Sequence, residues 1–316
     1  MSYINRDKND RYRNGSLSLL RIFPSQIEFC LGKAIQQGDS LEYINGVTTL
    51  DRPIANCIVF LEKYSEAVLA SIRSVEHKSM LFILGSGFGD GISHPHLICD
   101  SPRTDYSKMV DLLFNYSSDY WHQDGAIDSS ALIDSTCYIS PGVSVGRDSK
   151  IGANCMIFPN VVIGPNCTIG ANCIIKSGSI IGQPGFGVFK DIQGDPRHFP
   201  HIAGVIIEDN VEIGALNTIC SGSIHPTVIS EYVKMDDHVH VAHNCFVGAR
   251  SLMTACCEVS GSVQIGENCF VGPNASIIDG ISIGDDTFIG IGSNVTKPLP
   301  EGVVAAGNPA RVIRKL

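Results

Sequence analysis

An aliphatic residue recurs at every sixth position through most of the C-terminal part of this chain. The series runs Ile133, Ile139, Val145, Ile151, Ile157, Ile163, Ile169, Ile175, Ile181, then Ile207, Ile213 and Ile219. After one short repeat it continues from Ile229 through Met235, Val241, Val247, Met253, Val259, Ile265, Val271, Ile277, Ile283 and Ile289 to Val295. A period of six is neither the 3.6 of a helix nor the 2 of an ordinary strand. It predicts a mainly β fold, a parallel β-helix whose coils have three short sides, each giving one aliphatic residue to the interior. Three hexads make a coil, and coils stack about 4.8 Å apart, so the series predicts about eight coils in a prism roughly 40 Å tall. The series is interrupted once at length, over residues 183–204, where Phe186 and Phe199 suggest an ordered substrate loop.

Residues 17–124 lack the sixfold pattern and read as a small α/β domain. Helices are predicted over 25–37, 62–77 and 102–116, the last beginning on a proline whose missing N–H costs little there. Buried strands are predicted over 57–61, 80–84 and 97–99. The glycine-rich stretch 85–89 reads as a plain loop, because a lone glycine cluster is weak evidence for a nucleotide site. Residues 1–16 form a polar tail, residues 125–300 the β-helix, and residues 301–316 a C-terminal tail.

Composition narrows the function. The chain has 316 residues, a net charge of −9 and 23 basic residues. That balance argues against nucleic acid, which needs a basic surface. The polar start and the lack of a long apolar run predict a cytoplasmic protein without a membrane span. Of twelve cysteines, Cys137, Cys155, Cys167, Cys173, Cys245, Cys257 and Cys269 each stand two places before a repeat aliphatic. One slot of the repeat explains them better than disulfides or a metal.

The candidate chemistry lies in Asp236-Asp237-His238-Val239-His240-Val241-Ala242-His243-Asn244, which holds three of the ten histidines. A stacking repeat needs no such polar cluster. His243 follows the inward Val241 by two places, so it projects from a coil corner. Gly261 lies eighteen residues on, which places a bare backbone N–H one coil above the imidazole. A base and an oxyanion donor are the two groups that acyl transfer to an amine requires. Asp236 or Asp237 is the candidate to orient the base, and His225 falls near the same column.

Taken together, Gly182-Gln183-Pro184-Gly185-Phe186-Gly187, Pro200-His201-Ile202, Val205-Ile206-Ile207, Val211-Glu212-Ile213-Gly214-Ala215, and Asp236 with Ala242-His243-Asn244 resemble the UDP-3-O-acylglucosamine N-acyltransferase family. Gly46-Val47, Phe60 and Tyr64 extend the likeness more weakly. The resemblance implies left-handed winding and a homotrimer with sites between subunits. It further implies His243 as general base, Asp236 in support and the Gly261 amide as oxyanion donor. An acceptor site of Phe60, Tyr64, Gly185, Phe186, Gly187, His198 and His201 would hold a nucleotide-linked amino sugar, its nucleotide gripped by the N-terminal domain.

The chain departs from that family at Cys220-Ser221-Gly222, where the family has Asp-Arg-Gly, and after Gly280, where a second histidine is missing. Its ending, Ala306-Gly307-Asn308-Pro309-Ala310-Arg311-Val312-Ile313, is instead similar to CoA-dependent hexapeptide-repeat sugar acetyltransferases. That similarity implies a cofactor-binding role for Gly307, Asn308, Pro309 and Arg311, with Arg314 and Lys315 near the CoA phosphates. The resulting expectation is an N-acyltransferase with no tightly bound cofactor, taking an acyl-CoA as donor. One alternative is the lipid A pathway enzyme itself with a hydroxyacyl carrier protein. A second is a zinc site of His201, His238 and His243 like that of γ-class carbonic anhydrases. A third is a prism that only binds a partner.

Overall fold

A computed structural model describes residues 16–89, 91–116, 120–121 and 123–316. Most of the expected polar tail, residues 1–15, lies outside the described residues. The chain divides into two compact units. One holds the described residues up to Tyr120 together with Gly187–Pro200, and the other holds Trp121–Phe186 and His201–Leu316.

The first unit is a five-stranded sheet with three helices: β1 (Ser16–Ile22), α1 (Pro24–Leu31), β2 (Ile44–Val47), β3 (Cys57–Leu61), α2 (Glu66–Arg73), β4 (Leu81–Gly85), β5 (His96–Cys99) and α3 (Pro102–Phe114). The strands lie in chain order, with β1 antiparallel to β2 and the rest parallel. The first two helices are shorter than predicted. The first ends at Gly32 in the left-handed region, φ 64°, short of its predicted end at 37. The second starts after Ser65, whose side chain accepts from the Val68 N–H as an N-cap. Two strands were not predicted: β2 is four residues long with Asn-Gly at its centre, whereas β1 opens on a Ser-Leu-Ser-Leu alternation that was legible and was passed over. Residues 187–200 of the interruption belong to this unit as a hairpin, pairing Val188–Lys190 with Pro196–His198.

The second unit is a left-handed parallel β-helix. Its two-residue strands stack into three faces of eight coils each, and the second residue of nearly every strand points inward. Face 1 runs from Ser144–Val145 to Asn294–Val295, face 2 from Leu132–Ile133 to Ser282–Ile283, and face 3 from Tyr138–Ile139 to Phe288–Ile289. The chain therefore passes from face 1 to 2 to 3 and back. Every anchor from Val145 to Val295 belongs to one continuous core and is at most 3% exposed. Burying each one contributes about 1.5–3 kcal/mol. The residues 301–316 complete face 3 as an antiparallel hairpin of Val303–Gly307 and Ala310–Lys315.

The corners explain two compositional habits. Asn154, Asn160, Asn166, Asn172, Asn210, Asn244, Asn268 and Asn274 all sit at corners with φ between 55° and 61°. Asparagine tolerates that left-handed backbone better than other residues with a side chain. The cysteine slot holds a small donor: the Sγ atoms of Cys155, Cys173 and Cys245 reach carbonyls of the next coil at 3.0–3.1 Å. Ser149, Ser179 and Ser251 make the equivalent bond at 2.7–2.9 Å. All twelve cysteines are free thiols.

One sequence reading needs correction. The spacing from Ile219 to Ile229 is not a short repeat but one enlarged corner, because Ile219 stacks in face 1 between Ile181 and Val241 while Ile229 stacks in face 2 between Ile207 and Val247. The long interruption joins Ile180–Gln183 of face 1 to Val205–Ile207 of face 2. Both departures from the hexad thus fall at the corner between faces 1 and 2.

Candidate active site

The same corner carries His243, in the next coil after the enlarged one, between His240–Val241 on face 1 and Phe246–Val247 on face 2. Stacking at this corner is in strict register: the Ser262 N–H donates to the His243 carbonyl at 2.9 Å, and the Gly280 N–H to the Gly261 carbonyl at 2.9 Å. His243, Gly261 and Asp279 therefore form one column on three successive coils.

Two glycines make room for the imidazole. A Cβ on Gly261 would lie 2.7 Å from His243 Cε1 and 3.0 Å from Nε2, so the ring leans up its own column to the level of Gly261. A Cβ on Gly185, at the start of the interruption, would lie 2.8 Å from Cδ2 on the ring's other side. Among the described residues, no hydrogen bond engages the Gly261 N–H. His201, at the return of the interruption, completes the setting: it is 1% exposed, with its ring centroid 5.0 Å from that of His243.

Asn244 sets the state of the imidazole. Its Oδ1 accepts from the Ser223 N–H at 2.8 Å and lies 3.0 Å from the Ser223 hydroxyl, which fixes the orientation of the amide. The Nδ2 group therefore faces His243 Nδ1, at 3.1 Å, and donates to it. In the resting site the imidazole proton is accordingly on Nε2. Burial lowers the pKa of His243, opposed by the charge of Asp279 and assisted by His240. The ring is neutral at neutral pH.

The other expected residues fall in several places. Asp236 is at the corner between faces 3 and 1, where its Oδ1 accepts from the Asp237 N–H at 2.9 Å. Asp237 accepts from the Ala215 N–H at 2.7 Å. Within one chain, burial dominates the pKa of His243, and the carboxylate whose charge opposes it is that of Asp279. His238, exposed at the Asp236 corner with φ 60°, fills the position that asparagine fills elsewhere. His240 bonds to the Thr218 hydroxyl through Nδ1 at 2.6 Å. Within one chain His238 therefore does not join His201 and His243, and among the described residues no group of three metal-ligating side chains converges. His225 lies in the enlarged corner below His243.

Gly185, Phe186 and His201 belong to the β-helix unit, and Phe186 is 85% exposed. Phe60, Tyr64, Gly187 and His198 belong to the α/β unit. There the Phe60 ring packs on Tyr106 at 4.6 Å and Phe199 at 5.6 Å, and Tyr106 stacks on Phe199 within 6° of parallel. Tyr64 stands edge-on to Phe88 and donates its hydroxyl to Glu66. The Gly187 carbonyl accepts from the Phe199 N–H at 2.7 Å, and His198 is exposed on its hairpin strand. Ser221, part of the departure from the family pattern, is structural: its buried hydroxyl accepts from the Gly204 N–H at 2.9 Å and anchors the return of the interruption. In the terminal hairpin, Gly307 (φ 103°), Asn308 and Pro309 form the turn, Asn308 accepts from Asn294 at 3.3 Å, and Arg311 is exposed.

With eight coils and their register established, this is a hexapeptide-repeat protein of the left-handed β-helix class. The family described as "Bacterial transferase hexapeptide (six repeats)" matches residues 148–183 and 262–297, and "Hexapeptide repeat of succinyl-transferase" matches residues 131–159. Within the class the chain is similar to UDP-3-O-acylglucosamine N-acyltransferases. It is 37% identical to that of Janthinobacterium sp. (strain Marseille) over 125 residues, 40% of this chain and 35% of the relative. It is 39% identical to that of Hahella chejuensis over 132 residues, 42% of this chain and 38% of the relative. The chain thus spans little more than a third of the length of these curated relatives. The solved UDP-N-acetylglucosamine acyltransferase of Francisella novicida matches 61% of this chain and 70% of its own with a TM-score of 0.55 and 25% identity. No helix among the described residues is long and apolar enough to cross a membrane.

Proposed function

We propose that this protein is an acyltransferase that moves an acyl group from a thioester to the amino group of a nucleotide-linked amino sugar. The observation that carries the reading is the half-buried His243, held between Gly185 and Gly261 beside an unengaged Gly261 N–H. In this reading the acceptor amine attacks the thioester carbonyl and the carbonyl oxygen becomes an oxyanion, to which the Gly261 N–H donates. His243 takes the proton that the nitrogen loses, and the thiolate leaves as the oxyanion collapses.

The tautomer favours an amine acceptor. Taking a proton at Nε2 requires the imidazole first to move its own proton to Nδ1 and give up the Asn244 bond, a net loss of about 0.5–1.5 kcal/mol. An amine already carries a nucleophilic lone pair once neutral and tolerates a weakened base. A hydroxyl would need the stronger base that a carboxylate at Nδ1 provides. The names of the relatives favour UDP-3-O-acylglucosamine as acceptor, and the resemblance to that family favours a hydroxyacyl carrier protein as donor. Acyl-CoA is the second reading, favoured by the hairpin that carries Gly307, Asn308, Pro309 and the exposed Arg311.

We further propose a homotrimer. Its support is the apolar outer stripe of face 3, where Leu252 and Phe288 are 43% and 38% exposed and Phe270 stacks on Phe288 at 4.5 Å. A role for Asp236 at the base would then have to come from a neighbouring copy.

The test is thiol release with hydroxyacyl carrier protein and with short acyl-CoAs, against UDP-3-O-acylglucosamine and a panel of other nucleotide-linked amino sugars. Turnover that disappears in His243→Ala supports the reading, and the donor used selects between its two forms. Turnover indifferent to His243 sinks it.

A further inference from the structure

Asp279 stands two coils above His243 in the same column, and the position between them is glycine. Two coil spacings separate the backbones by about 9.6 Å. The imidazole already covers one of those spacings, because its Nε2 lies 3.0 Å from where a Gly261 Cβ would be. What remains between Nε2 and the backbone level of Asp279 is one spacing, about 4.8 Å, with no side chain inside it. That gap is one nitrogen wide.

The carboxylate has no other employment. Asp279 is exposed, and among the described residues it makes no hydrogen bond or ion pair. Lys297 follows one coil further along the column and does not pair with it. Other corner aspartates are engaged: Asp237 accepts from Ala215 N–H, Asp209 from Ala171 N–H and Asp285 from Glu267 N–H, while Asp148 and Asp286 resemble Asp279 in making no side-chain bond among the described residues but have no histidine in their columns. An unengaged carboxylate facing an imidazole across a glycine-cleared gap is suited to hold a cation that is about to lose a proton.

We propose that Asp279 recognises the protonated amine of the acceptor, gripping the ammonium at the open end of the column and aligning it with His243. This rests on the amine-acceptor reading above and adds the group that selects amine over hydroxyl. The ammonium binds to Asp279, loses one proton to bulk water at the exposed end of the column, and the neutral nitrogen attacks; His243 takes the second proton after attack. Burial lowers the pKa of His243 and the charge of Asp279 raises it, so the carboxylate is close enough to act on the imidazole.

The test is calorimetric binding of UDP-glucosamine, whose amine is a cation, against UDP-glucose, whose hydroxyl is not. Wild type is expected to prefer UDP-glucosamine by on the order of tenfold, the factor that one good ionic contact supplies. Asp279→Asn should erase that preference while leaving UDP-glucose affinity and the thermal midpoint unchanged. Asp279→Glu should restore part of it. No preference in wild type, or a preference that survives Asp279→Asn, overturns the proposal. Turnover of His243→Ala separates the two readings. If it is lost while Asp279→Asn keeps its preference, only the role of Asp279 fails; if it is retained, both fail.

Discussion

Adding a single methyl group at Gly261 is the sharpest perturbation of this site. The Cβ would stand 2.7 Å from His243 Cε1 and 3.0 Å from Nε2. Ordinary carbon contacts begin near 3.5 Å, so the ring must retreat by about 0.8 Å. The opposite side is closed by Gly185, against which Cδ2 already lies 2.8 Å from a would-be Cβ position, and by the buried His201. The retreat therefore swings the imidazole outward and pulls Nδ1 off Asn244. A misplacement of about 1 Å in a reacting group costs roughly 100-fold in rate. The corner backbone is exposed to solvent and the inward anchors are untouched, so stability should change by no more than about 1 kcal/mol. Gly261→Ala is expected to lower kcat/KM about 100-fold, with the thermal midpoint nearly unchanged and the loss mainly in kcat. Thiol release at saturating acceptor measures it. Full activity in a folded Gly261→Ala protein would show that the imidazole beside Gly261 is not the working group.

The remaining predictions concern the base, the thiols and the core. Because burial holds the pKa of His243 below 6.5, the acid limb of kcat/KM should lie below pH 6.5; removing the Asp279 charge should move it lower still, and an unchanged limb would disconnect the two groups. Asn244→Asp should act in the opposite sense, putting the proton on Nδ1 and raising the limb by about a unit or more, which the same pH profile reads. Buried thiols such as Cys245, pushed up to about 12 by burial, should resist a maleimide in the native state. Cys30 and Cys256, the two exposed cysteines, should react first, as mass spectrometry of the labelled protein would report. Ile213→Ala, at a fully buried anchor in the middle of the prism, should cost about 2–5 kcal/mol in urea unfolding.

The prism was legible because a six-residue period has almost no other physical solution, and its inward anchors alone set the three faces. What sequence counting missed came from the places where the period fails. Ten positions separate Ile219 from Ile229, and counting alone cannot tell a shortened pair of hexads from one enlarged corner. Only the stacking of Ile229 under Val247 decides it. The helices of the α/β unit were overextended for a local reason: Gly32 and Ser65 end and begin them, while the apolar spacing continues past both.

Column arithmetic was what the sequence offered for placing residues around His243. Adding eighteen to His243 gives Gly261; adding thirty-six gives Asp279, a step the spacing allowed. Asp236 was named through family resemblance and nearness in sequence; seven residues along a coil place it at a different corner of the same chain, so its role at the base would be one between copies. Asn244 could have been found from the repeat itself, since asparagine occupies the left-handed position of many corners. Its contact with Nδ1 depends on Ser223, which belongs to the enlarged corner and has no counterpart in the regular repeat.

These observations share one cause. A stacked repeat offers identical corners, and a catalytic group on any of them faces the same flat wall. Here the chain spends its irregularity at a single corner: the long interruption, the enlarged turn and His243 follow one another on three consecutive coils between faces 1 and 2. The interruption contributes Gly185 and His201, the enlarged turn contributes Ser223, and the regular coils above contribute Gly261 and Asp279 at fixed height. Irregular coils thus close the site from below, while regular ones rule the distances above it. A substitution in the regular part should therefore change where the acceptor sits, and one in the irregular part should change the state of the base.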